Sequence, residues 1–179
     1  MLSHIELVER CRANDRHAQI KLYRKYCDGM FGVAMRFLKN PDDAEDVVQE
    51  SFIKAFLCLE QYRGEVSFGA WLKRIVVNGC IDFLKKKTHV NEALDEEHTL
   101  VDDGEEDHLG EGISLEQIGA AIGELSHRYR FVVQLFLVEG YDHGEIAQIL
   151  DISEVASRSR LLRGKAQLKD KLKDLVYGR

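Results

Sequence analysis

Between Thr88 and Gln117 the chain carries eleven acidic residues and not one lysine or arginine. A segment of that composition repels itself and lacks the periodic apolar spacing needed to bury a face. It reads as a flexible acidic linker over residues 91–113, dividing the sequence into residues 1–90 and 114–179. Each part is long enough for one small domain. Pro41 is the only proline, and Leu, Ala, Glu, Lys and Arg are abundant on both sides. That composition predicts an all-α fold of two small helical domains. The first reads as a three- or four-helix bundle and the second as a helix-turn-helix bundle.

The formal net charge is −6. Outside the acidic segment, bases outnumber acids, a balance that permits an anionic partner such as DNA. Cys11, Cys27, Cys58 and Cys80 are far apart and lie in apolar helical contexts without metal or redox spacing. They read as small buried hydrophobes in a reducing cytosol. The first ten residues are charged and hold no signal-like apolar core. No window approaches the roughly 18 apolar residues of a membrane span. A cytoplasmic protein without membrane insertion is expected, with no metal and no cofactor.

Periodicity predicts helices over 5–27, 30–38, 42–59 and 68–87, with a loop at 61–67 and Ser67 as a helix cap. Pro41 suits the first turn of the third helix. After the acidic segment, helices are expected over 114–124, 128–139, 142–150 and 154–176. Asp142 with Glu145 three residues later has the form of a capping box.

The last two helices carry the clearest chemistry. Ile146, Ala147, Leu150 and Ile152 form one apolar face ending in a turn, and Ser153 can cap the final helix. Along that helix Ser157, Leu161, Gly164 and Leu168 share a face by steps of four, three and four, which predicts an inward side. Arg158, Ser159, Leu162 and Arg163 lie on a neighbouring face, free to meet base edges in a major groove. Arg160 and Lys165 flank it as phosphate contacts. A solvated basic helix in an ordinary bundle would show the same residues.

The acidic helix over 42–59 has a core stripe of Val48, Phe52, Ala55, Phe56 and Leu59. Asp46, Gln49, Glu50, Ile53 and Leu57 occupy another face, mixing apolar area with charge as a protein–protein contact does. Asp42, Asp43 and Glu45 suit a helix N-terminus electrostatically. A metal-dependent nuclease would need ligands converging from a second element, and the sequence offers none. Residues 61–87 place Tyr62, Phe68 and Trp71 beside Arg63, Lys73 and Arg74. Rings that stack on bases, interleaved with cations that follow the backbone, suit single-stranded nucleic acid. Trp71 serves equally well as a core anchor. Lys85, Lys86 and Lys87 fit either a helix-end cluster or a DNA contact.

The run Asn40-Pro41-Asp42-Asp43-Ala44-Glu45-Asp46-Val47-Val48-Gln49-Glu50-Ser51-Phe52, then Tyr62-Arg63-Gly64, then Trp71-Leu72-Lys73-Arg74-Ile75 and the stretch from Asn78 to Asp82, closely resembles the second region of bacterial sigma factors of the extracytoplasmic-function group. Leu125 to Lys173 resembles their fourth region, including Glu139-Gly140-Tyr141, Glu145-Ile146-Ala147 and Ile152-Ser153-Glu154.

The resemblance implies a non-catalytic transcription initiation subunit partnered by core RNA polymerase, promoter DNA and an anti-sigma factor. It places Asp46, Gln49, Glu50, Ile53 and Leu57 against the polymerase. It assigns Tyr62, Arg63, Gly64, Phe68, Trp71, Arg74, Asn78, Lys85 and Lys86 to the melted minus-ten element. Ser153, Arg158, Ser159, Arg160, Leu162, Arg163 and Lys165 fall to the minus-thirty-five element. Four positions depart from the family pattern: Val155-Ala156 stand where Gly-Thr is frequent, Ser126 where proline is usual, and Gly164 where alanine is common. Gly164 carries a helix-propensity cost of roughly 1 kcal/mol. A stand-alone helix-turn-helix regulator is the alternative reading.

Overall fold

The computed structural model describes residues 4–87 and 113–177. All regular structure among them is helical, and the chain separates into two compact units, residues 1–91 and 92–179. The predicted acidic linker lies outside the described residues except for Ile113.

The first unit begins with α1 (His4–Arg12) and α2 (Arg16–Leu38). One helix over 5–27 was expected, followed by another from residue 30. The chain breaks earlier. Asn14 takes a left-handed conformation with φ +58°, and the Asp15 carboxylate accepts from the His17 and Ala18 backbone N–H groups at 2.9 and 3.2 Å. An Asn–Asp pair that closes one helix and caps the next is a strong stop-and-start signal. No break occurs at Gly29, where the expected boundary lay, nor at Gly32. Each glycine costs the helix about 1 kcal/mol, but Met30, Val33, Ala34 and Phe37 are buried along one side of α2. Burial at roughly 1.5–3 kcal/mol per large side chain outweighs that cost and keeps α2 continuous.

Lys39, with φ +57°, ends α2, and the Asn40 side chain accepts from the Asp43 N–H at 3.0 Å to open α3 (Pro41–Leu57) with Pro41 in its first turn. A single 3-10 turn (Leu59–Gln61) and a loop lead to α4 (Phe68–Lys87), capped as expected by Ser67, whose hydroxyl accepts from the Ala70 N–H at 3.2 Å. Helices α2, α3 and α4 enclose a core that includes Leu22, Phe37, Val48, Phe52, Leu72 and Ile81. Helices α3 and α4 approach closely at Gly79, where an added Cβ would sit 3.1 Å from Val47 and 3.2 Å from Ser51.

The second unit contains α5 (Leu115–Gly123), α6 (His127–Val133), α7 (His143–Leu150) and α8 (Glu154–Tyr177). The helix expected over 128–139 widens into a π turn at Gln134–Val138, where the Glu139 N–H reaches the Gln134 carbonyl at 3.0 Å. Gly140, with φ +77°, then turns the chain back, and the Tyr141 N–H closes on the Leu135 carbonyl. Asp142 and Glu145 form the anticipated capping box, at 2.8 and 3.0 Å. The predicted inward face of α8 is buried at Ser157, Leu161, Gly164 and Leu168. Gly164 is a contact point: its added Cβ would lie 2.5 Å from Val133 Cγ2. The propensity cost read from the sequence is therefore set against a close approach of α6 to α8.

Candidate functional site

The loop between the 3-10 turn and α4 is built around Tyr62. Its ring meets Phe68 edge-on at 5.6 Å and Trp71 at 5.4 Å, while Phe68 and Trp71 lie 5.6 Å apart. Tyr26 on α2 backs Phe68 at 5.4 Å. Phe68 is fully buried, whereas Tyr62 and Trp71 are half-buried. Phe68 is the core anchor of the three, and the rings of Tyr62 and Trp71 reach the surface. The Tyr62 hydroxyl donates to the Val66 carbonyl at 2.8 Å, and Gly64 between them has φ +77°, which glycine adopts without strain. Arg63, Gly64, Glu65, Val66 and Ser67 are exposed.

Arg74 and Asn78 continue along α4, half-buried. The Asn78 side-chain oxygen is shielded from solvent and has no hydrogen-bond partner among the described residues. Lys85 and Lys86 are exposed. Lys87 turns to Asp43 at the start of α3, with Nζ 2.9 Å from the carboxylate, so this last lysine ties two helices together.

The outer face of α3 presents Asp46, Gln49, Glu50, Ile53 and Leu57, all exposed. Ile53 is 60% exposed and Leu57 80%, a large apolar area for a small unit. The Gln49 amide donates to Glu45 at 3.1 Å along the helix. Among the described residues no three His, Cys, Asp or Glu side chains converge as metal ligands.

In the second unit, α7 and α8 are joined by Asp151, left-handed at φ +57°, and by Ser153, whose hydroxyl accepts from the Ala156 N–H at 3.1 Å. Ser153, assigned to DNA from the sequence, is thus also the cap of α8. Arg158 and Lys165 are exposed, while Ser159, Arg160, Leu162 and Arg163 are half-buried. Arg158 reaches Glu154 at 3.5 Å, a surface pair of little energetic weight. His143 Nδ1 lies 2.9 Å from the hydroxyl oxygen of buried Ser157, and its ring stacks on Phe136 at 4.9 Å. The Lys165 ammonium sits 5.7 Å from the same Phe136 ring. Burial holds the His143 imidazole below its ordinary range, and nearby Arg158 adds to the effect.

The family model described as sigma-70 region 2 matches residues 22–90, and that described as sigma-70 region 4 matches residues 115–168. The chain is 31% identical to the ECF RNA polymerase sigma-E factor of Haemophilus influenzae over 95% of each chain. It belongs to the extracytoplasmic-function group of sigma factors. It is also 32% identical to RNA polymerase sigma factor SigV of Bacillus subtilis, over 74% of this chain and 78% of the relative. The fold resembles that of the sigma factor RpoE of Bartonella quintana, solved in complex with the anti-sigma factor NepR. That structure is 20% identical, with a TM-score of 0.58 over 89% of this chain and 97% of the other.

These matches do not favour a stand-alone regulator. No described helix of this sigma factor is long and apolar enough to cross a membrane. Two features of its surfaces were missed from the sequence. Helix α1 lies outside the region 2 match, yet its Arg12 donates to the carbonyls of Leu59, at 3.4 Å, and Tyr62. The His143–Ser157 bond links residues fourteen apart on two helices. Neither has a local sequence signal, because each depends on where separate helices cross.

Proposed function

We propose that this sigma factor binds core RNA polymerase through Asp46, Gln49, Glu50, Ile53 and Leu57 and selects promoters with two separate surfaces. Tyr62, Arg63, Gly64, Trp71, Arg74, Asn78, Lys85 and Lys86 engage the melted minus-ten strand, and Phe68, assigned to it with them but fully buried, supports the rings from behind. Ser153, Arg158, Ser159, Arg160, Leu162, Arg163 and Lys165 read the minus-thirty-five duplex. The observation that carries this reading is the aromatic cluster, half-buried at a backbone-tied loop and flanked by cations. Stacking on such rings is worth about 1–3 kcal/mol per base and tolerates any sequence. The subunit itself is non-catalytic and works in the cytoplasm. Release from an anti-sigma factor controls it, a reading supported by the relative solved with such a partner. The acidic segment between the units, by its charge, suits a cationic channel of the polymerase.

Transcription in vitro with purified core polymerase and a promoter library tests the proposal. Promoter-dependent transcripts above core alone are expected. The Gln49→Ala/Glu50→Ala protein should bind core polymerase more weakly while keeping its fold and its duplex binding. Unchanged polymerase affinity would move the interface off α3.

A further inference from the structure

Arg12 is the last residue of α1, distant in sequence from every residue assigned to the minus-ten element. Its guanidinium is only partly exposed and points three ways. Nη1 pairs with Glu9 at 2.6 Å within α1, Nε reaches the Leu59 carbonyl at 3.4 Å, and Nη2 donates to the Tyr62 carbonyl. Glu9 steadies the guanidinium from one side while its other edge grips the end of the 3-10 turn. Only arginine offers several donors in one rigid plane.

Tyr62 is the pivot of the loop. Its N–H closes the 3-10 turn on Leu59 at 3.1 Å. Its ring rests on Phe68 and Trp71, and its hydroxyl holds the Val66 carbonyl. A shift of the Tyr62 backbone therefore moves the ring and the loop tip together. The bond to the Tyr62 carbonyl comes from α1, so Arg12 sets the position of that pivot from outside the loop.

We infer that Arg12 is a positioning residue for single-strand capture, holding Tyr62 and the 62–67 loop in the conformation that meets the melted promoter strand. This rests on the proposed role of the aromatic cluster. It adds α1, which the region 2 match omits, to the promoter-melting apparatus.

The test uses holoenzyme reconstituted from core polymerase and the full-length chain. The probe is the fluorescent single-stranded minus-ten segment of a promoter selected from a library by the unaltered protein. Arg12→Ala should weaken capture of that strand roughly tenfold, the scale expected for losing charged hydrogen bonds. Affinity for core polymerase and for the minus-thirty-five duplex should stay within about twofold. Arg12→Lys should recover only part of the loss, because one ammonium cannot span both carbonyls in a plane.

Trp71→Ala separates the two ideas. If it captures the strand normally, the aromatic-cluster reading itself fails. If it loses capture while Arg12→Ala does not, only the inference about Arg12 is overturned. Parallel losses of strand capture, polymerase affinity and duplex binding in Arg12→Ala would make Arg12 a general stabiliser and also overturn it. Should Arg12→Ala not fold, Arg12→Lys carries the comparison, and strand capture equal to the unaltered protein overturns the inference.

Discussion

The nucleic-acid surfaces proposed for the two units are assembled in different ways. In the first, the surface gathers Tyr62 and Trp71 around a loop, with Phe68 and Tyr26 behind them and Arg12 bracing the backbone from α1. Its parts come from three helices and a loop far apart in sequence, and the same rings serve core and surface. In the second, the surface is one side of α8, from Ser153 to Lys165, laid over a continuous buried stripe. Recognition of a melted strand needs rings and a shaped loop, which helices must build together. Recognition of a duplex groove needs one helix and its cations. Substituting a buried ring of the first surface should therefore disturb fold and binding at once, and substituting a cation of the second should disturb binding alone.

The largest contrast is expected at Phe68. Phe68→Ala removes a fully buried ring touching three other aromatics and should cost about 3–5 kcal/mol in unfolding free energy. Thermal and urea denaturation would register it, and minus-ten strand binding should fall with it. Retained strand binding in a destabilised protein would show that fold and surface are separable. Next in size, Arg163→Ala should lose roughly 1–3 kcal/mol of discrimination between minus-thirty-five sequences with little change in melting temperature. Equal weakening on every duplex, measured by competition binding, would reassign Arg163 to phosphate.

Asp151→Gly should stabilise the second unit by up to roughly 1 kcal/mol, because Asp151 holds a left-handed φ of +57° that glycine reaches without a Cβ penalty. A drop in the denaturation midpoint would mean that the aspartate side chain contributes more than its backbone costs. The smallest change concerns pH. The His143 imidazole is held below its ordinary range in the folded unit, so the unfolded chain takes up the proton first as pH falls below about 6.5. Stability of the second unit should therefore decline on acidification through that region and level off once the folded form is protonated too. Melting curves between neutral and mildly acidic pH should show this slope, and His143→Gln should flatten it.

The sequence alone was sufficient for the helical class, for the positions of α4, α7 and α8, and for the inward stripe Ser157–Leu161–Gly164–Leu168. These arise from local caps and from a 3.6-residue period, which neighbours a few positions apart decide between themselves. It was also sufficient to gather Asp46, Gln49, Glu50, Ile53 and Leu57 on one exposed face. The break between α1 and α2 was legible in Asn14-Asp15 but competes with the apolar rhythm running through it. The unbroken course of α2 past Gly29 and Gly32 was not legible, because burial of Met30, Val33 and Phe37 overrides a weak local preference. The contact of Gly164 with Val133, the grip of Arg12 on Tyr62 and the His143–Ser157 bond were decided only by tertiary packing. Each joins residues on different elements, and the geometry of a helix crossing is a property of two surfaces meeting, which no single stretch of sequence contains.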